Sequence, residues 1–395
     1  MAASATRTSS LQHAVVFTGG ILLFSDQTQF ALEHDTVLAN STVSIKPVTE
    51  FACDVTAQPV SSGKTVFFAV NRGEWGGIRE YYTMPDNTDQ NDAADVSSHV
   101  PHYINGGIHK LLCSTNEDFL LVLSRGRTES IWLYKYFWNG SEKVQSAWSR
   151  WDMAGKVAGL ALHDARVFLL MDYRGEGLFL EVMDISPACR DADENFEYAL
   201  DRKLTEADCA VSAYDSATES TTITLPYAPA TAPAVITRSG EGQRAGYAHE
   251  VESLKGKTLM VRGNATGRKL FIGLPFESRY TFSTFALREG QKGNAVTSGR
   301  LQLRSLSIAC EETGYLEVEV VPSFRQPSRY RFTGRELGHG TNRIGSLPLY
   351  TGTIRVPLLS LNTQVAVSLV SKSFLPFSVV NASWEGFYNT RNRQV

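Results

Sequence analysis

Four sets of residues have types and spacings that chemistry could use. Asp191, Asp193 and Asn195 place oxygen donors at every second position, as the opening of a calcium loop does. Such a loop needs glycine at its sixth position and a bidentate glutamate at its twelfth. Phe196 and Arg202 stand there instead, which argues against calcium. His99 and His102, with Asp95 nearby, are ligand types for zinc. Pro101 marks a bend between them and no further ligand is in evidence, so ordinary polar histidines are expected. Glu74 and Glu80 flank the Trp75-Gly76-Gly77 turn and form the one attractive local carboxylate pair for glycoside hydrolysis. Spacing alone does not say whether they face each other. Trp132, Tyr134, Tyr136, Trp138, Trp148 and Trp151 could stack on bases or sugars. Alternation puts the first four on one strand face, where aromatic residues are more often core. The HExxH, Gly-x-Ser-x-Gly, phosphate-loop and dinucleotide signatures are absent. Gly338-His339-Gly340 lacks the next glycine and the strand-to-helix setting. No catalytic, cofactor-binding or metal-binding residue is assigned, and no enzyme is expected.

The elements that would position these residues read as strands. Thr65–Val70, Phe119–Leu123, Ser130–Trp138, Val157–Leu162, Val167–Met171 and Leu178–Met183 are β-forming runs separated by Gly, Asn and Asp turns. Such hairpins need stacking or closure to hide their edges, and strand density points to a propeller although no fixed repeat is found. The predicted fold is all-β: propeller-like antiparallel sheets followed by a C-terminal sandwich-like or barrel-like unit. The expected domains are a partial propeller-like platform at 1–185, an acidic and Ser/Thr/Pro-rich junction at 186–233, and a β-sandwich at 234–395. One short helix is expected around 194–204. Trp148 and Trp151 should point to opposite faces of a central strand and be buried there as wedges. Gly76, Gly77, Gly106 and Gly107 read as turn formers.

Composition bounds the function. With 395 residues, 43% hydrophobic and 20% charged, the chain can build two or three ordinary cores. A net charge of -3 argues against a molecule that binds nucleic acid by overall charge. Ala14–Phe24 is too short and too interrupted to span a membrane, and Met1–Ser10 lacks the apolar core of a signal peptide. Cys53, Cys113, Cys189, Cys209 and Cys310 are scattered, the pattern of reduced thiols made in a cytoplasm. The sequons at Asn40, Asn139, Asn264 and Asn381 read as chance matches. Basic residues outnumber acids between Lys255 and Arg343, whereas acids dominate from Asp164 to Glu219.

Several stretches, in order, resemble a known family. They are Leu22–Phe30 (LLFSDQTQF), Val43–Phe51 (VSIKPVTEF), Arg79–Tyr82 (REYY), Ser98–Ile104 (SHVPHYI), Tyr134–Tyr136 (YKY), Gln145–Trp151 (QSAWSRW), Arg300–Arg304 (RLQLR) and Ala382–Tyr388 (ASWEGFY). Together they are similar to the nozzle proteins, or tail tubular proteins B, of short-tailed phages, and the chain looks like the C-terminal half of such a protein. The resemblance implies a homohexameric tube in the virion, made in the host cytoplasm and sited at the distal end of the tail. It implies contacts with a ring of the gatekeeper tail protein, with tail fibres and with the host envelope, and a lumen that passes phage DNA without sequence-specific binding. No catalytic residue or cofactor comes with it. The competing expectation is a carbohydrate-active or carbohydrate-binding tail component acting on the host envelope. For a sliding lumen, Arg325, Arg329, Arg331 and Arg335 should face outward, and loops of the Asp191–Asp208 region should flank the channel.

Overall fold

The computed structural model describes residues 10–18, 20–33, 44–84, 87–139, 143–186, 189–192, 194–240, 242–289, 293–296, 299–334 and 347–390. Asn40, Asp193, Arg335 and Gly338–Gly340 therefore lie outside the described residues. The chain divides into two compact units, Met1–Pro187 and Ala188–Val395. No α-helix occurs among the described residues.

The first unit is four sheets, each made from consecutive antiparallel strands. Sheet one contains β1 (His13–Phe17), β2 (Gly20–Phe24), β3 (Gln29–Glu33) and β4 (Ser44–Thr49). Sheet two contains β5 (Val60–Ser62), β6 (Thr65–Asn71), β7 (Trp75–Met84), β8 (Asn87–Asp95) and the short β9 (Ile104–Asn105), which pairs back onto β7. Sheet three contains β10 (Ile108–Ser114), β11 (Phe119–Ser124), β12 (Ser130–Trp138) and β13 (Lys143–Asp152). Sheet four contains β14 (Lys156–His163), β15 (Arg166–Tyr173) and β16 (Gly177–Asp184).

The continuous apolar runs of β6 and β11 explain how these sheets stack. A strand with one wet face alternates, whereas a strand covered on both faces reads as an unbroken apolar run. In β6, Phe67 and Ala69 enter a core shared with Leu120, Val122, Trp132 and Tyr134 of sheet three. Val66, Phe68 and Val70 enter another, shared with Phe17, Leu22 and Phe24 of sheet one. In β11, Phe119, Leu121 and Leu123 turn the other way, onto Val157, Val167, Leu169 and Met171 of sheet four. The order of stacking is thus one, two, three, four, with a dry layer between each pair.

Gly76 and Gly77 are not in the turn that sequence assigned them to; both lie inside β7. A Cβ on Gly76 would sit 2.8 Å from Ile108 Cγ1, so glycine is needed for sheets two and three to approach. Gly106 does have a left-handed backbone (φ +74°), and its Cβ position lies 2.6 Å from the Gly126 amide.

The second unit begins with β17 (Asp201–Thr205), β18 (Ala210–Val211), β19 (Ser220–Thr224), β20 (Ala234–Thr237), β21 (Tyr247–His249), β22 (Val251–Lys255), β23 (Thr258–Arg262) and β24 (Leu270–Leu274). They form two sheets, ordered β17-β24-β20-β21 and β18-β19-β23-β22. Val235, Leu270 and Ile272 of one meet Ile223, Leu259 and Val261 of the other. Residues on both sides of position 233 thus share one sandwich, and the boundary expected there falls inside it. A second sandwich uses β25 (Ser278–Thr281), the small hairpin β26 (Arg288–Glu289) and β27 (Asn294–Ala295), β28 (Arg300–Thr313), β29 (Tyr315–Pro322), β30 (Ser328–Thr333), β31 (Tyr350–Leu361), β32 (Val365–Ser371) and β33 (Val379–Asn389). Its facing sheets run β25-β32-β29-β30 and β31-β28-β33, around Leu303, Leu306, Val318, Val356 and Leu369.

The helix expected at 194–204 is absent. Phe196, Tyr198 and Leu200 are buried at a period of two, so the segment is extended and lays these side chains against Ile236 and Phe271. A helix would scatter them around its axis.

Because adjacent residues of β11 serve different layers, Leu120→Ala and Leu121→Ala should each cost about 2–5 kcal/mol. Denaturant unfolding checks this, and two nearly additive losses are expected.

Candidate functional site

The aromatic residues singled out by type converge on the junction of sheets two and three. Trp132, Tyr134 and Tyr136 share one face of β12 and are buried. Phe67 lies edge-on to Tyr134 at 6.2 Å and tilted against Tyr136 at 5.7 Å. The Trp132 indole donates to the Tyr103 carbonyl at 3.0 Å, and the Trp148 indole donates to the Val96 carbonyl at 2.9 Å. The Tyr136 and Ser62 hydroxyls are hydrogen-bonded at 2.8 Å. The polar handles of these rings are therefore spent on sheet two, and Trp132, Tyr134 and Tyr136 offer no platform to a ligand. Trp148 packs into this layer while Trp151 packs into the layer toward sheet four, so the two tryptophans do point to opposite faces. They are half-buried because β13 is the outer strand of its sheet and not a central one.

Glu80 and Glu74 are not brought together. Glu80 lies in β7 and Glu74 in the tight turn just before it, and five residues of strand at about 3.3 Å each put them roughly 17 Å apart. Glycosidase carboxyl groups stand about 5–9.5 Å apart. Glu80 is buried and forms an ion pair with Lys143, whose ammonium also lies 5.5, 5.1 and 5.2 Å from the ring centres of Tyr134, Tyr136 and Trp138. The second Glu80 oxygen, Oε1, is buried and unpartnered. Burial, with the Glu80 charge next in importance, pushes the Tyr134 hydroxyl up to about 12 and holds it neutral. Lys143 escaped notice in the sequence. The available signal was its place in the sequence shortly after the aromatic run that ends at Trp138, opposite which the strand register sets it.

The remaining candidates are also committed to structure. Asp95 pairs with Arg72 and accepts hydrogen bonds from Ser97, His99 is exposed, and the His102 ring lies 5.2 Å from Trp75. Asp191 holds Lys203 at 2.7 Å and accepts the Tyr198 amide at 2.6 Å, whereas Asn195 is exposed. No cluster of three or more metal-ligand side chains occurs among the described residues. The five cysteines are free thiols. Burial pushes Cys53 up to about 12 and Cys113 and Cys209 to about 11, so none of these three is an activated nucleophile.

The basic excess after Lys255 is partly neutralised on one sheet face. Arg279 reaches Glu277 at 2.7 Å and Glu319 at 2.8 Å; Arg329 reaches Glu319 at 2.9 Å and Arg331 reaches Glu317 at 3.2 Å. Arg279, Glu317, Glu319, Arg329 and Arg331 line a groove of about 250 Å³ across β25, β32, β29 and β30. The Arg279 hydrogen bonds hold the Glu319 and Glu277 carboxyls below the usual glutamate range. Arg325 instead donates to the Leu359 carbonyl at 2.7 Å.

A sequence model of the bacteriophage nozzle proteins matches residues 1–395. The chain belongs to the bacteriophage nozzle protein family. It is 29% identical to the tail tubular protein gp12 of Escherichia phage T7 over 99% of its own length and 50% of that protein's, so it spans about half of this relative. Among solved structures, a periplasmic gluconolactonase of Pseudomonas aeruginosa is 14% identical over 68% of this chain and 73% of that one, with a TM-score of 0.25. An exo-β-1,3-galactanase of Phanerochaete chrysosporium is 10% identical over 94% and 95%, with a TM-score of 0.24. Structural likeness at that level carries no argument about fold or activity.

Two outcomes follow from this chemistry. Lys143→Ala leaves a buried carboxylate uncompensated and should cost about 3–5 kcal/mol, with most of the loss recovered in the Glu80→Gln/Lys143→Ala double variant. A double-mutant cycle by chemical denaturation reads it directly. The Glu277 and Glu319 carboxyls are depressed in the folded chain, so their contribution is present above the unfolded pKa and fades as pH falls. Melting of the second unit should therefore weaken below about pH 4.3, the ordinary glutamate value, and Glu319→Gln should flatten that dependence.

Proposed function

We propose that the chain is a structural part of a short phage tail tube, a nozzle that assembles as a homohexamer around a channel for DNA. The observation that carries this reading is the family match along the whole chain. The interior supports it. Glu80 and the rings of Trp132, Tyr134, Tyr136 and Trp148 are occupied in joining sheets two and three, so its work is assembly and passage, without turnover.

On this reading, residues 1–185 form a partial propeller-like platform. Four meander sheets stacked in chain order are the arrangement that blades have. The outer face of sheet four still exposes Leu170, Leu178, Leu180 and Val182, and sheet one exposes Val16. Further layers or neighbouring subunits in the assembled tail would cover them. Arg279, Arg329 and Arg331 are satisfied by their own glutamates and present little free charge to a passing phosphate backbone. We place that face, with Arg325, away from the lumen, and the Asp191–Asp208 region beside it. The gatekeeper ring, the tail fibres and the host envelope are the partners the family reading supplies, and the virion is the location.

Electron microscopy of the purified protein tests the proposal. Six-fold rings with an open centre are expected, without the Arg279–Arg331 face lining the hole. Particles lacking rotational symmetry, together with release of sugar from host envelope polysaccharide, would overturn it in favour of a carbohydrate-active tail component.

A further inference from the structure

A second polar cluster lies apart from the aromatic junction, at the margin of sheets three and four. The pairing of β10 with β11 slips by one residue: Ile108 is opposite Ser124, while Lys110 is opposite Leu123. Ile108 and Leu111 nevertheless enter the same core layer. The two residues between them, His109 and Lys110, are thus turned to the other side of the sheet, the side that β14 packs against. Bulges re-aim side chains in this way. Arg125 follows directly on β11 and is anchored by its amide to the Gly107 carbonyl at 2.9 Å. Lys156 is the first residue of β14.

Lys110, Arg125 and Lys156 are exposed, and none has a carboxylate partner among the described residues. Asp172, the cross-strand neighbour of Lys156, makes no ion pair with it. His109 Nδ1 is buried without a hydrogen-bond partner. The Val157 amide donates to the Thr128 carbonyl at 2.9 Å, which brings the start of β14 beside the segment that follows Arg125. Burial, then the charges of Arg125, Lys110 and Lys156, hold the His109 ring below the usual histidine range. Unlike the arginines of the second unit, these cations make no ion pair among the described residues, although Asp172 stands opposite Lys156 on the neighbouring strand.

We propose that His109, Lys110, Arg125 and Lys156 form a binding site for a phosphomonoester dianion. A compact dianion suits cations gathered from three strands around one imidazole, with the guanidinium of Arg125 able to bond two of its oxygens. A nucleic-acid strand spreads one charge on each successive phosphate and needs a continuing basic track. The nearby exposed residues Glu129, Asp152 and Asp172 are acidic, so no such track extends from the cluster. Free phosphate and a phosphorylated sugar share this chemistry.

Calorimetric titration of the full chain with inorganic phosphate, glucose 6-phosphate and a single-stranded oligonucleotide without terminal phosphate tests the site. Saturable binding of one or both monoester ligands is expected, and stronger binding of the sugar phosphate would identify the phosphorylated glycan as the source. The Lys110→Ala/Arg125→Ala variant should keep its melting temperature, since both side chains are exposed, and bind about tenfold more weakly or not at all. Lys64→Ala, at the exposed β5–β6 turn, should bind like the parent. The proposal is overturned if no monoester saturates, if the double variant binds like the parent, or if the oligonucleotide binds this site more tightly than the monoesters.

Discussion

Burial of both faces of a single strand is the constraint on which the first unit depends. Because β6 is apolar at every residue from Val66 to Val70 and β11 from Phe119 to Leu123, each must lie between two other sheets, since an exposed face would leave two or three apolar side chains in water. Each such side chain gains about 1.5–3 kcal/mol on burial. That requirement fixes the order of stacking. It also explains why Gly76 cannot be larger: the approach of sheet three to sheet two leaves only the space of a hydrogen atom beside Ile108.

Polar and aromatic groups then take the places that the stacking leaves open. The indoles of Trp132 and Trp148 satisfy backbone carbonyls of the 96–103 connection, which could not otherwise be buried without loss. Glu80 reaches its counter-ion across the sheet boundary from Lys143. An uncompensated charge there would be costly, so the pair selects one arrangement of the two sheets over near alternatives. Glu80, Trp132, Tyr134 and Trp148, which by type alone could serve a ligand, are thus used in assembly of the layers, which agrees with membership of the nozzle protein family.

Much of the architecture was legible in the sequence, and the failures have physical causes. The runs 65–70 and 119–123, the aromatic strand 130–138 and the opposed tryptophans were visible because strand periodicity depends on neighbouring residues alone. The extended segment 196–200 departs from the expected helix because burial of Phe196, Tyr198 and Leu200 against the distant Ile236 and Phe271 outweighs the local helix preference of Glu197, Ala199 and Leu200. The boundary at Pro233 failed because Pro226, Pro229 and Pro233 mark a connection within a sandwich as readily as one between domains. Lys143 and the neutralised arginines depend on long-range pairing, Lys143 with Glu80 and Arg279 with Glu319, which local spacing does not encode. The β10 bulge is equally invisible, since it exists only relative to β11.

Native-state hydrogen exchange followed by mass spectrometry tests the central claim most directly. If strands covered on both faces hold the layers together, peptides spanning β6 and β11 should exchange slowest in the first unit, close to its global unfolding limit. Peptides from β13 and β16, at sheet edges, should exchange well before them. Exchange from β6 and β11 as early as from β13 and β16 would contradict the account.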